Sequence, residues 1–289
     1  MNKFLTGALV SNAATMGYNW VYNMPYLERL AKTETLTFQK ADPAKYKRAR
    51  KAVLAYPNAE VGDVSLQGEI AKWLYDFMKD SPKATKEDYA DLIYNHIQPG
   101  GDYSGWVESY GKALVYNRLS DDLKTDHSEL KIEDDQLVGF IPYLVFKELG
   151  FTVERSYEFA QIFTSNDDYL AFYKVFDCVF DNLMTMSMKE ALQKAIPLAP
   201  QQFGFKLTMA VQMEDTTSFV QQLSNTSCAI QYALPLIFNI LANTDSFEEA
   251  VSLNTKLGGA SADRGMLIGA IYAQVSKIPE DWISKTNLK

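Results

Sequence analysis

The stretch Leu257-Gly258-Gly259-Ala260-Ser261-Ala262-Asp263-Arg264-Gly265-Met266-Leu267-Ile268-Gly269-Ala270-Ile271-Tyr272-Ala273-Gln274 constrains the fold more than any other part of this chain. Two adjacent glycines let the backbone turn sharply and approach another segment closely. Gly265, Gly269, Ala270 and Ala273 then fall on neighbouring turns of a helix that must be closely packed. The pattern predicts a loop leading into a buried helix. Such a junction directs free backbone N–H groups and the side chains of Ser261 and Asp263 toward one spot, suited to phosphate, ribose hydroxyls or a metal. A glycine-rich helix start with no ligand is the other reading that local chemistry allows.

A chain of 289 residues, 47% hydrophobic, can bury the large core that such a helix needs, and a single domain over 1–289 is expected. The net charge of -8 would repel a nucleic-acid backbone, and the short basic run Lys45 to Lys51 reads as the solvated face of a helix. The N-terminal apolar stretch is broken by Thr6 and Gly7 and continues with helical period into Trp20, so it reads as a buried first helix and not a secretory signal. Nothing approaches the run of about 18 apolar residues that a membrane span needs. Cys178 and Cys228 lie far apart in apolar surroundings and read as reduced core thiols of a cytoplasmic protein. Neither His96 nor His127 sits in a motif that would support a catalytic thiol.

Apolar periodicity predicts helices over 3–16, 44–55, 70–78, 86–97 and 137–149, then almost continuously from 153, with no alternating strand. Thr85-Lys86-Glu87-Asp88 is a capping start, and Asp134 and Asp135 stand where they could cap the helix that follows. Glu69 falls in the first turn of the 70–78 segment, where the helix dipole favours a carboxylate without any ligand.

The glycine-rich stretch, with Ile278-Pro279-Glu280-Asp281-Trp282 after it, resembles the C-terminal signature of the ADP-ribosylglycohydrolase family. The resemblance is to the branch that includes J1-type crystallins, whose members read roughly Gly-Gly-Asp-Ser-Ala-Ala-Arg-Gly-Met-Leu-Ile-Gly and then Ile-Pro-x-x-Trp. Gly258, Gly259, Ser261, Ala262, Arg264 to Gly269, Ile278, Pro279 and Trp282 match; Ala260 stands where the family has a metal-binding aspartate. Weaker similarity runs through the rest of the chain. Asn12, Asn19 and Asn23 occupy Asp, His and Asp positions, Glu69 takes the place of an aspartate in a metal-holding segment, and Ser165 replaces a histidine. Tyr103, Gly105, Trp106 and Glu108 resemble a further family segment, and Glu133-Asp134-Asp135 precedes a Phe140-Ile141-Pro142-Tyr143-Leu144 run that has lost the family's arginine.

The resemblance implies an all-α, single-domain orthogonal helical bundle of the ADP-ribosylglycohydrolase type. It also implies a substrate that is a small molecule or an ADP-ribosylated group, with hydrolysis of an N- or O-glycosidic ADP-ribosyl bond and Mg2+ or Mn2+ as cofactor. On the matching positions, Glu69, Asp134 and Asp135 are the expected catalytic residues, and Asn12, Asn19, Trp20, Gly258, Gly259 and Ser261 the expected substrate contacts. Glu69 and Asp263 are the expected metal ligands, Asp263 as a ligand relocated one turn beyond Ala260. Asparagine keeps the shape of aspartate but supplies neither a base nor negative charge. Two further readings therefore stand beside the metal-dependent hydrolase: a metal-free binding or structural protein of crystallin kind, and glycoside hydrolysis by a carboxylate pair such as Glu69 with Asp134.

Overall fold

A computed structural model describes residues 1–124, 128–130 and 135–288. Asp134 and His127 lie outside the described residues. The described residues form sixteen α-helices, and the only β-type pairings among them are three isolated bridges. The fold is thus the all-α orthogonal bundle that the sequence predicts.

Its axis is α1 (Lys3–Thr15), buried at almost every residue because it packs against α15 (Ser261–Val275) near the other end of the chain. Both helices are buried nearly all round, with apolar and small residues predominating. Gly7 and Gly269 let their backbones meet: a Cβ on Gly7 would collide with the Gly269 carbonyl and stand 2.6 Å from the Ala273 Cβ. Around this pair the chain runs through α2 (Met24–Leu30), α3 (Pro43–Ala49), α4 (Leu66–Asp80), α5 (Lys86–Ile97) and α6 (Ser109–Asp122). A 3-10 turn, Leu137–Phe140, then opens α7 (Ile141–Leu149), which packs on α4 and α8 (Val153–Ala160). The outer bundle is α9 (Asp168–Asn182), α10 (Met188–Ala195), α11 (Gln201–Gln212), α12 (Thr216–Leu223) and α13 (Ile230–Ala242). Beyond it come α14 (Phe247–Leu257), α15 (Ser261–Val275) and α16 (Glu280–Lys285). No helix among the described residues is long and apolar enough to cross a membrane.

Two local expectations change. The helix expected over 44–55 stops at Ala49, because Arg50 takes a left-handed conformation (φ 63) and residues 51–53 are drawn into backbone pairing with Trp20 and Tyr22. Neither does Asp135 cap a helix: Gln136 is the residue before the 3-10 turn and makes no side-chain cap. The Asp135 carbonyl instead accepts from the Ile230 N–H at 2.8 Å. The Thr85 and Asp88 capping box forms as expected, with both reciprocal bonds present.

Candidate functional site

Gly258 and Gly259 end α14 with φ of 71° and 62°, and a Cβ at Gly259 would stand 2.5 Å from the Thr226 hydroxyl. That close approach is what the glycine pair provides. The Gly259 N–H donates to the Val21 carbonyl (2.8 Å), and the Gly259 carbonyl accepts from the Trp20 N–H (2.7 Å). From the other side, the Trp20 carbonyl accepts from the Val53 N–H (3.0 Å). Trp20 is thereby held with φ 63, a conformation that costs a bulky residue about 1–3 kcal/mol and persists only where the surroundings over-determine it. Its ring meets Trp106 edge to face, with centroids 6.3 Å apart.

Beneath Trp20 lies a buried polar layer. Asn12 is fully committed: its amide donates to the Ser65 hydroxyl (2.8 Å) and the Ala262 carbonyl (3.1 Å), and its oxygen accepts from the Ser65 N–H (2.8 Å). A carboxylate could not donate to Ala262, so the amide suits this place. The Asn19 oxygen accepts from the Ala262 N–H (3.0 Å), while its NH2 group, the Ser261 hydroxyl and the Trp20 indole N–H have no partner in the protein. The guanidinium of Arg264, completely buried, donates to Asn254, to the Thr226 carbonyl and to the Gly258 carbonyl, tying both sides of the junction together.

Asp263 is 2% exposed, in the first turn of α15, and neither carboxylate oxygen has a hydrogen-bond partner. Burial pushes its carboxyl up to about 7, and the Arg264 charge only partly opposes this. The Tyr22 hydroxyl is pushed up to about 12, first by burial and then by the charges of Cys228 and Asp263. Tyr56 and Tyr110 are raised too, again mainly by burial, with Glu108 ahead of Asp263 among the charges that contribute.

On the other side of Trp106 opens a cleft of about 650 Å³. Its aromatic lining is Tyr56, Trp73, Tyr103 and Trp106, and its acidic lining is Asp63, Glu69 and Asp102. Glu69 pairs with Lys72 at 3.0 Å. The imidazole of His96 stacks on Trp73, centroids 4.0 Å apart and planes 11° apart, and its Nδ1 lies 2.6 Å from Asp102, which holds that carboxyl below its ordinary value. Lys112 places its ammonium 4.3 Å over the Trp106 ring. Tyr56 donates to Glu108 (3.2 Å) and accepts from the Leu66 N–H (3.1 Å), so the wall is continuous with the start of α4.

The expected site residues fall in three places. Asn12, Asn19, Trp20, Gly258, Gly259, Ser261 and Asp263 converge at the junction of α1 and α15, whereas Glu69 opens on the cleft, which Asp263 does not line. Asp135 is exposed and lines neither. Trp73 and His96 escaped the sequence reading, since a tryptophan on an amphipathic helix looks like core until its stacking partner is known.

An Mg2+ or Mn2+ pair needs several oxygens in fixed geometry. Ala260 offers none, the Asn12 amide is spent, and no group of three or more His, Cys, Asp or Glu side chains is placed to hold a metal among the described residues. The described donors do not fit such a pair.

No protein-family model and no curated protein matches the chain. Among solved structures it is similar to one described as "ADP-ribosylglycohydrolase-related protein complex", with TM-score 0.65 and 13% identity, covering 98% of this chain and 92% of that one. At that identity the likeness is one of fold, and the fold is ADP-ribosylglycohydrolase-like.

Proposed function

We propose that this chain is a binding protein built on an ADP-ribosylglycohydrolase-like fold, and that it does not hydrolyse through a metal pair. One observation carries the reading: where the resemblance calls for several metal-binding oxygens, Asp263 contributes a single carboxylate, sealed from solvent and apart from Glu69 in the open cleft. The ligand is a ribosyl ring with the group it carries, as in an ADP-ribosylated side chain or a related small molecule. It stacks on Trp73 or Trp106 while Glu69 accepts from its hydroxyls. Cys178 and Cys228, neither of them in a disulfide among the described residues, suit a reducing cytoplasm.

The test is to offer ADP-ribosylated arginine and serine peptides with and without Mg2+ or Mn2+. The expected result is retention of the peptide, lost in Trp73→Ala, with no release of ADP-ribose and no heat on titrating Mn2+. Release that rises with either cation overturns the proposal. Metal-free hydrolysis has one observation in its favour, because a buried carboxyl that titrates near 7 is what a general base requires. Turnover that survives chelation and disappears in Asp263→Asn would establish that second reading.

A further inference from the structure

The cleft beside Trp106 has a chemical character that a nucleotide diphosphate does not match. Its lining holds three carboxylates, Asp63, Glu69 and Asp102, four aromatic rings, and no lysine, arginine or histidine. Each carboxylate has one partner: Asp63 accepts from the Glu60 N–H (2.9 Å), Glu69 pairs with Lys72, and Asp102 with His96. A carboxylate has about four acceptor positions, so capacity remains on all three. Of the backbone N–H groups at the start of α4, that of Ser65 is spent on Asn12 and that of Leu66 on Tyr56, so neither of these two is free for a phosphate.

The protein already shows what this wall attracts. The Lys112 ammonium sits 4.3 Å from the Trp106 ring centroid, so the indole presents an electron-rich face to a cation in a field set by carboxylates. Trp106 is 38% exposed and lines the cleft. Trp73 stacks against His96, lines the cleft, and meets Tyr103 edge to face at 5.7 Å.

We propose that this cleft takes an organic cation, an ammonium or guanidinium group seated against Trp73 and Trp106 and balanced by Asp63, Glu69 and Asp102, and that the pyrophosphate of any ADP-ribosylated ligand lies outside it. This rests on the ligand entering the cleft, as proposed above, and adds the charge of the group it recognises. A guanidinium stacks flat on an indole and can bridge two carboxylate oxygens, whereas a quaternary ammonium fills the space between rings.

Tryptophan fluorescence and calorimetry with tetramethylammonium, methylguanidinium and ADP-ribose test the proposal, with either cation alone sufficient to support it. The expected result is saturable quenching by a cation at least about tenfold tighter than by ADP-ribose, weakened by added salt. Asp63→Asn with Asp102→Asn should weaken the cation by a similar factor; both residues are at least partly exposed, so the fold should survive. Trp106→Phe should retain binding and Trp106→Leu lose it. ADP-ribose binding as tightly as either cation, or an unchanged cation affinity in the double variant, overturns the assignment. If ADP-ribosylated peptides bind through Trp73 while neither cation does, the charge assignment fails and the binding site stands. If nothing binds, both fail.

Discussion

Replacing Asp263 with asparagine distinguishes a buried acid from a cation ligand, because the two roles predict stability changes of opposite sign. A carboxyl that titrates near 7 in place of 3.8 disfavours its charged form by about 4 kcal/mol, at about 1.4 kcal/mol per tenfold change in proton affinity. The folded-state value is the raised one. Between about pH 4 and pH 7 the native protein therefore holds a proton that the unfolded chain has released, and stability falls as pH rises through that window, then levels off. Arg264, lowered to about 10 chiefly by burial, keeps its charge throughout. Asp263→Asn has no carboxyl to titrate. Its stability relative to the wild type should be near zero below pH 4 and rise to a few kcal/mol in its favour above pH 7, smaller than 4 to the extent that the new amide also lacks partners. Urea unfolding followed by far-UV circular dichroism, at a series of pH values with and without Mn2+, measures the difference directly. A difference that does not change with pH, or a variant less stable than the wild type at pH 8, would refute the reasoning and point to a cation or a buried water on those oxygens.

Three further outcomes follow from packing and hydrogen bonding. Gly7→Val should destabilise by about 3 kcal/mol or more in urea unfolding, since the added methyls have only the Gly269 carbonyl and the Ala273 side chain to displace; an unchanged midpoint would show that α1 and α15 can separate freely. Asn12→Asp, which restores the family's carboxylate, should cost about 2–3 kcal/mol by leaving the Ala262 carbonyl without its donor, and Mn2+ should not recover the loss; a rise in melting temperature on adding Mn2+ would contradict the metal-free reading. Thr85→Ala removes one exposed capping box and should cost about 1 kcal/mol without touching ligand binding, which makes it a control for stability effects alone.

Several features were legible because they depend on residues near one another in the chain. The Thr85–Asp88 cap, the helical period of 3–15 and the loop-to-helix step at Gly258–Ser261 all report local backbone preference, and each forms where expected. Tertiary pairing overrode the local signal at 50–55. The backbone of 51–53 gains partners in Trp20 and Tyr22, and those bonds outweigh the helical propensity of Lys51 and Ala52. The cleft was readable only in fragments. Tyr103, Trp106 and Glu108 stand out as a segment, and Glu69 as a helix-start carboxylate, but nothing local joins them to His96 stacked on Trp73.

Taken alone, the sequence predicts that this chain is all helical and that the stretch after Gly259 is a buried helix, because glycines and alanines at helical spacing fit a closely packed one. It also fixes that Asn12, Asn19 and Ala260 carry no charge, since the identity of a residue needs no coordinates. Only the tertiary structure decides what the remaining charges do. Asp263 ends up sealed in the first turn of α15 and Glu69 faces an open aromatic cleft, because burial and pairing depend on which distant segments fold over a side chain, and no periodicity along the chain encodes that.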